Sequence, residues 1–221
     1  MDLFTAIQSR HSVRSYLDKP IDTATVQVLQ REIDVCNSTG GLQMRLVLNQ
    51  SDAFSGMMAR LGKFQHANHY LIVAGPASDH LQTTAGYYGE RIVLQATMLG
   101  LDSCWVAGTY QKRAVKRLVP SDKVLVCVVA LGYGQSHGEP HRCKPIEAVC
   151  AADRPMPDWF VAGVEAALLA PTALNRQDFF FSLTGRTVSA QAIGGSFTKL
   201  NLGIAKYHFE IGAGKENFDW A

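Results

Sequence analysis

Arg10, Ser12 and Arg14 stand at alternate positions of the run Arg10-His11-Ser12-Val13-Arg14-Ser15-Tyr16. In an extended segment that alternation puts all three side chains on one side, where two guanidinium forks and a hydroxyl can face one phosphate-like anion. Alone, such a run is more often a solvated basic turn. Far along the chain lies Pro171-Thr172-Ala173-Leu174-Asn175-Arg176-Gln177, in which Thr172 and Asn175 offer a hydroxyl and an amide to a polar ligand edge. It also reads, less often, as the turn that closes a helix. His137 and His141 flank a loop, but no third or fourth ligand follows at suitable spacing, so no metal site is expected. His208 and Glu210 are two apart on a helix and point to different faces, which leaves His208 as a packing or hydrogen-bonding residue. No GxGxxG fingerprint occurs, since Gly132-Tyr133-Gly134 runs on into Gln135-Ser136-His137, so a Rossmann crevice is not expected.

The elements that must position these residues follow from periodicity. Residues 2–9 read as a short helix that delivers Arg10 at its end. Val26, Leu29, Ile33 and Cys36 form one apolar stripe of a helix from Asp22 to Cys36. Residues 44–48 and 70–74 suit strands. Residues 84–99 form a helix apolar on most faces, which places it in the middle of the molecule, with Gly100 to end it. Strands are predicted over 103–107 and 123–131, with a basic helix near 111–118 between them. Gly, Pro, His and charge dominate 132–157, which reads as a loop and connector. Asp158 is expected to cap a helix running to Ala170. A strand over 178–183 and a second central helix over 199–212 complete the chain. The segment 29–48 parallels 163–182, and more loosely 86–96 parallels 203–213, which points to an internal duplication. Two unrelated helix-turn-strand units can also look alike.

Ala6-Ile7, Arg10, Ser12, Arg14, Tyr16 and Pro20-Ile21 together reproduce an "AI-x-x-R-x-S-x-R-x-Y…P-I" pattern. With Gly86 and the run Leu99-Gly100-Leu101-Asp102-Ser103-Cys104-Trp105-Val106-Ala107-Gly108, the chain resembles the FMN-dependent nitroreductase family over nearly its whole length. The Pro171–Gln177 run matches the family's Pro-Ser-x-x-Asn-x-Gln, with Asp178-Phe179 standing where Pro-Trp is usual. Family members often carry Glu at the position of Ala107; a backbone contact tolerates Ala there. The resemblance is closest to the subset in which one polypeptide mimics the family dimer. Only the front half has the Arg-x-Ser-x-Arg and only the back half has the Asn, so one complete site per chain is implied.

That resemblance implies an α+β, nitroreductase-like fold with antiparallel and mixed sheet layers and central helices. The first half would cover 1–140, a connector 141–157 and a shorter second half 158–221, interlocked as one unit. It implies an FMN site made by Arg10, His11, Ser12, Arg14, Trp105, Val106, Ala107, Gly108, Arg142, Lys144, Pro171, Thr172, Ala173 and Asn175. Arg142 and Lys144 would return to the phosphate, although their run also reads as an exposed basic loop. Ala107 and Gly108 would let the backbone approach the flavin. No catalytic acid or base is implied, because the cofactor carries the hard chemistry. The implied activity passes hydride from NAD(P)H through FMN to a small acceptor, such as a nitroaromatic or quinone. The alternatives are an FMN-binding redox sensor or non-catalytic flavoprotein, a branch with other flavin chemistry, and a scaffold that has lost FMN. Removing Arg10 and Arg14 together is expected to release FMN and leave the fold intact.

Composition sets the outer bounds. The 221 residues are 47% apolar and 18% charged, enough for a sizeable core, and the formal charge of +2 gives no field to recruit nucleic acid or an acidic membrane. No apolar window is long enough for a span, and the N-terminus lacks the basic and apolar regions of a secretion signal. Five cysteines without a CxxC pair suit a reduced, cytoplasmic protein. A monomeric pseudo-dimer is expected over an obligate homodimer.

Overall fold

Asp2 and Asp22 each start a helix as short acceptors do. The Asp2 carboxylate accepts the Thr5 amide at 2.8 Å, and Asp22 accepts the Thr25 amide at 2.9 Å and the Thr25 hydroxyl at 2.7 Å. In the computed structural model, which describes residues 1–221, these caps open α1 (Leu3–Ser9) and α2 (Thr23–Gly40). Leu29, Ile33 and Cys36 are the buried stripe of α2, and Gly41, at φ 61°, ends the helix one turn later than the stripe predicts.

Four strands follow: β1 (Arg45–Val47), β2 (His69–Gly75), β3 (Asp102–Val106) and β4 (Val124–Gly132). They form an antiparallel sheet in the order β1-β2-β4-β3. Every residue of β2 is buried. The pleat sends Leu71 and Val73 into the main core, and Tyr70, Ile72 and Ala74 into a second cluster with Phe54 and Phe64. That second cluster lies under a segment without a sequence expectation, which includes α3 (Gly56–Leu61). It also takes Val115 of α5 (Lys112–Lys116).

The second sheet is mixed. β5 (Cys150–Ala152), β6 (Phe179–Thr184), β7 (Thr187–Ala192) and β8 (Asp219–Trp220) pair in that order; β5 runs parallel to β6, β7 antiparallel to β6, and β8 parallel to β7. The stretch read as connector therefore ends in a strand of this sheet. Three residues carry no period, and only pairing with distant Phe181–Leu183 makes them a strand. β7 was equally unread, because Thr, Ser, Gln and Ala dominate it. α6 (Asp158–Leu168) has Pro157 at its N-cap and no side-chain cap bond. Asp158 is its first helical residue, where its charge suits the helix dipole without capping.

α4 (Leu81–Met98) and α7 (Thr198–Ala213) are the central helices and pack on each other. At Gly86 an added Cβ would fall on the Leu200 carbonyl oxygen, and at Gly203 on the Thr83 carbonyl oxygen. Bare backbone is what lets the two helices touch. The fold is α+β, and no helix is long and apolar enough to cross a membrane.

Candidate functional site

The Ser12–Tyr16 run lies extended beside the first sheet and meets β3 at a single bridge. Ser12 bridges Ser103 in parallel, the Val13 amide donates to the Ser103 carbonyl at 2.9 Å, and the Gln65 amide donates to the Arg14 carbonyl at 2.9 Å. Val13 and Tyr16 are buried, and the Tyr16 hydroxyl donates to the Val13 carbonyl at 2.7 Å. Ser12 and Arg14 are left facing the open end of β3, where the chain continues through Trp105, Val106, Ala107, Gly108 and Thr109.

All of these line one cavity of about 550 Å³. The opposite wall is Pro171, Thr172, Ala173 and Leu174, with Arg176 beside them. Ser196, Phe197, Leu200, Asn201 and Ile204, all at or just before the start of α7, close it. Of the predicted site residues, Ser12, Arg14, Trp105, Val106, Ala107, Gly108, Pro171, Thr172 and Ala173 are brought together. Arg14 and Arg176 are the charged lining residues, with no carboxylate among the lining. A Cβ added at Gly108 would meet no atom within 4 Å, so the backbone there is open to a ligand.

The remaining predicted residues lie elsewhere. Arg10 is 2% exposed. It is the C-cap of α1, with its amide still on the Ala6 carbonyl, so it belongs to the helix end and not to the alternating strand. Its Nη2 donates to His141 Nε2 at 2.8 Å, and its Nε lies 3.8 Å from Glu90 Oε1. Arg10 Nε and Nη1 have no hydrogen-bond partner. His11 bonds the His137 carbonyl through Nδ1 at 3.1 Å, its ring 5.5 Å from that of His141. Asn175 Nδ2 and Gln177 Nε2 both donate to the Arg142 carbonyl at 2.8 Å, and the Lys144 amide donates to Gln177 Oε1 at 2.8 Å. The Lys144 ammonium reaches the Gln177 carbonyl at 3.3 Å and Asp178 at 3.9 Å. Arg142, Lys144, Asn175 and Gln177 thus knot the connector to the back loop behind the cavity wall.

Two residues that the sequence did not single out as site residues, Asn201 and Glu90, help to hold the site, together with the Gln177–Thr172 contact. Buried Asn201 accepts the Ala173 amide at 3.1 Å and fixes the back loop on α7. The Gln177 amide donates to Thr172 Oγ1 at 3.0 Å, which leaves the Thr172 hydroxyl hydrogen free for a ligand. Glu90, fully buried on α4, accepts the Trp105 indole N–H at 2.7 Å and meets His208 Nε2 at 2.9 Å. His208 Nδ1 lies 3.1 Å from the Ala166 carbonyl and so carries a hydrogen. Glu90 in a helical run looks like an exposed charge, and nothing in the sequence reveals its burial. His208 is the hydrogen-bonding residue that its spacing predicts. The His141 imidazole is pushed down to about 4 by burial and then by Arg10, so it is neutral and accepts from Arg10.

Leu174, Asn175 and Gln177 have φ of 55°, 53° and 49°, and Phe197 has φ 67°. Non-glycine residues held left-handed cost about 1–3 kcal/mol each and gather at functional sites.

Residues 2–213 match the protein family described as "Putative TM nitroreductase", and the chain belongs to that family of oxidoreductases. A Thermotoga maritima nitroreductase structure is similar at TM-score 0.70 and 24% identity, over 98% of this chain and 85% of the other. An FMN-dependent nitroreductase of Clostridium difficile gives TM-score 0.52 and 18% identity, over 62% of this chain and 91% of its own. An NADH oxidase of Clostridium acetobutylicum gives 0.51 and 18%, over 65% and 96%. No curated protein matches the chain.

Proposed function

We propose that this chain is an FMN-dependent NAD(P)H oxidoreductase whose single flavin site is built between two halves of one polypeptide. The observation that carries this reading is the cavity of about 550 Å³ that takes Ser12, Arg14 and the end of β3 from the front and Pro171–Ala173 from the back. Its size is that of a cofactor site. Its two cations without a lining carboxylate, its open backbone at Gly108 and its apolar floor of Leu200 and Ile204 suit a flat aromatic group bearing a phosphate.

Arg14 and Ser12 would take the phosphate by charge-assisted hydrogen bonds, with Arg176 as a further cation. The Ala107–Gly108 backbone would face the ring, and the free Thr172 hydroxyl would donate to its polar edge. Leu200 and Ile204 would exclude water beneath it. The chemistry such a group supplies when bound is two-electron transfer from NAD(P)H to a small acceptor such as a nitroaromatic or quinone. One structural relative is named for FMN dependence and another for NADH oxidation, which supports both choices.

The pseudo-dimer reading, with halves over 1–140 and 158–221 and a connector over 141–157, is supported by the paired glycines of α4 and α7. It is also supported by shorter relatives whose nearly complete chains correspond to about two-thirds of this one. The five unpaired cysteines suit a reducing cytoplasm.

The test is the visible spectrum after reconstitution with excess FMN, with released flavin counted per chain. About one FMN per chain is expected, with bleaching on NAD(P)H addition. Two per chain, or none, overturns the single shared site.

A further inference from the structure

A second, smaller cavity of about 250 Å³ lies against the first. Phe197 and Leu200 border both. Beyond them the smaller one is walled by Leu81 of α4 and by Val124, Leu125 and Val126 at the start of β4. Its polar lining is Ser78 and Gln82, both exposed, and no charged residue borders it. The main cavity presents two arginines, which the FMN phosphate would occupy, while the smaller one presents no charge and suits an uncharged chain.

The partition between them has one fixed and one movable part. Leu200 is 4% exposed and belongs to the core. Phe197 is 37% exposed and holds a left-handed φ of 67°. It follows Gly194, at φ 101°, and Gly195, beside which a Cβ would meet nothing within 4 Å. Phe197 caps α7, its carbonyl accepting the Asn201 amide at 2.9 Å, and the Thr198 hydroxyl donates to the Gly195 carbonyl at 2.9 Å, so the backbone is held and the part-exposed ring moves only by turning about its own side-chain bonds.

We propose that the smaller cavity is a second substrate subsite, which takes the uncharged alkyl tail of an acceptor whose planar head lies in the main cavity. The preferred acceptors are therefore alkyl-substituted quinones, with Phe197 closing over the junction of head and tail. This rests on the oxidoreductase reading for the head; the tail site is new to it. Each methylene that leaves water for the groove tightens binding, and the gain stops when the chain outgrows it.

The test uses the FMN-reconstituted full chain with 1,4-benzoquinones carrying unbranched alkyl chains of increasing length, up to decyl. KM is expected to fall roughly threefold to fourfold per methylene and then level off, with kcat little changed. Ala77→Trp and Val124→Glu, both at exposed residues that line the groove, should flatten the series and leave unsubstituted benzoquinone unaffected. A flat series in the wild type, or a slope that survives both substitutions, overturns the subsite. Quenching of Trp105, which lines the main cavity, gives the same series as dissociation constants without turnover. If NAD(P)H does not bleach the bound flavin, the oxidoreductase reading fails. The quenching series still decides the tail site: dependence on chain length that is lost in the variants upholds it, and none rejects it.

Discussion

Gly86 of α4 and Gly203 of α7 each receive the other helix's backbone: Gly86 lies against Leu200 and Ile204, and Gly203 against Thr83 and Tyr87. The same shift along the sequence carries each contact into the other. That reciprocity is what a twofold interface requires, here between two segments of one chain. A methyl at either position meets backbone, which cannot step aside. Gly86→Ala and Gly203→Ala should each lower stability by about 1–3 kcal/mol, read from urea midpoints. Combined, they should cost less than their sum, because both open one interface. Wild-type stability in both single variants would remove close packing as the reason for these glycines.

The two arginines of the N-terminal run should behave differently. Arg14 is exposed at the cavity, so Arg14→Ala should weaken FMN at least about tenfold in a fluorescence titration and leave the apoprotein's melting unchanged. Arg10 is buried beside Glu90, and its removal takes the neighbouring permanent cation from a buried acid that keeps Trp105 and His208; Arg10→Ala should cost about 3 kcal/mol of apoprotein stability. The expectation that both can go without harm to the fold is therefore narrowed to Arg14. The reverse pattern, with a stable Arg10→Ala that sheds flavin and a silent Arg14→Ala, would reinstate Arg10 as the phosphate ligand.

Glu90→Gln replaces one acceptor oxygen with a donor, facing either the Trp105 N–H or the His208–Arg10 side. Turned to Trp105 that donor opposes the indole N–H, and turned to His208 it opposes the Arg10 guanidinium. A loss of roughly 1–3 kcal/mol is expected, with a shift in Trp105 emission, because the indole loses its anchor. An unchanged emission spectrum would show that Glu90 does not hold the cavity wall.

His141 carries a stability cost at low pH. Its folded value of about 4 lies below the ordinary 6.5, so between the two the unfolded chain takes the proton more readily. Its contribution is whole above about pH 6.5 and is lost as pH falls towards 4, at most about 3 kcal/mol. His141→Gln keeps an acceptor for Arg10 without titrating. Its stability should fall less steeply than the wild type's over that window, and identical slopes would mean that His141 keeps its proton when folded.

Much of the architecture was legible because it rests on local signals. The stripe Leu29, Ile33, Cys36 gave α2, and all-round apolar character gave the buried α4. Ser12, Arg14 and the Trp105–Gly108 strand end were placed by motif and are brought to one cavity. What stayed hidden depends on distant partners. Cys150–Ala152 is a strand only beside β6, and Glu90 is a buried anchor only because Trp105 and His208 arrive from elsewhere. Arg176 was read as the variable residue of a turn, and Arg10 turned inward because a helix end interrupts the alternation.

The cavity's two walls also fix when it can exist. Ser12 and Arg14 leave the ribosome far ahead of Thr172, Asn201 and Ile204, and chains fold broadly from the N-terminus as they are made. A nascent chain holding only the front sheet has half a pocket and nothing to close it. Closing the pocket joins residues from opposite ends of the sequence, the kind of contact that forms late. Ligand capture would then report that both walls have been made: a chain cut before Thr172 lacks the far wall, and a bound ligand would stabilise only molecules that have both.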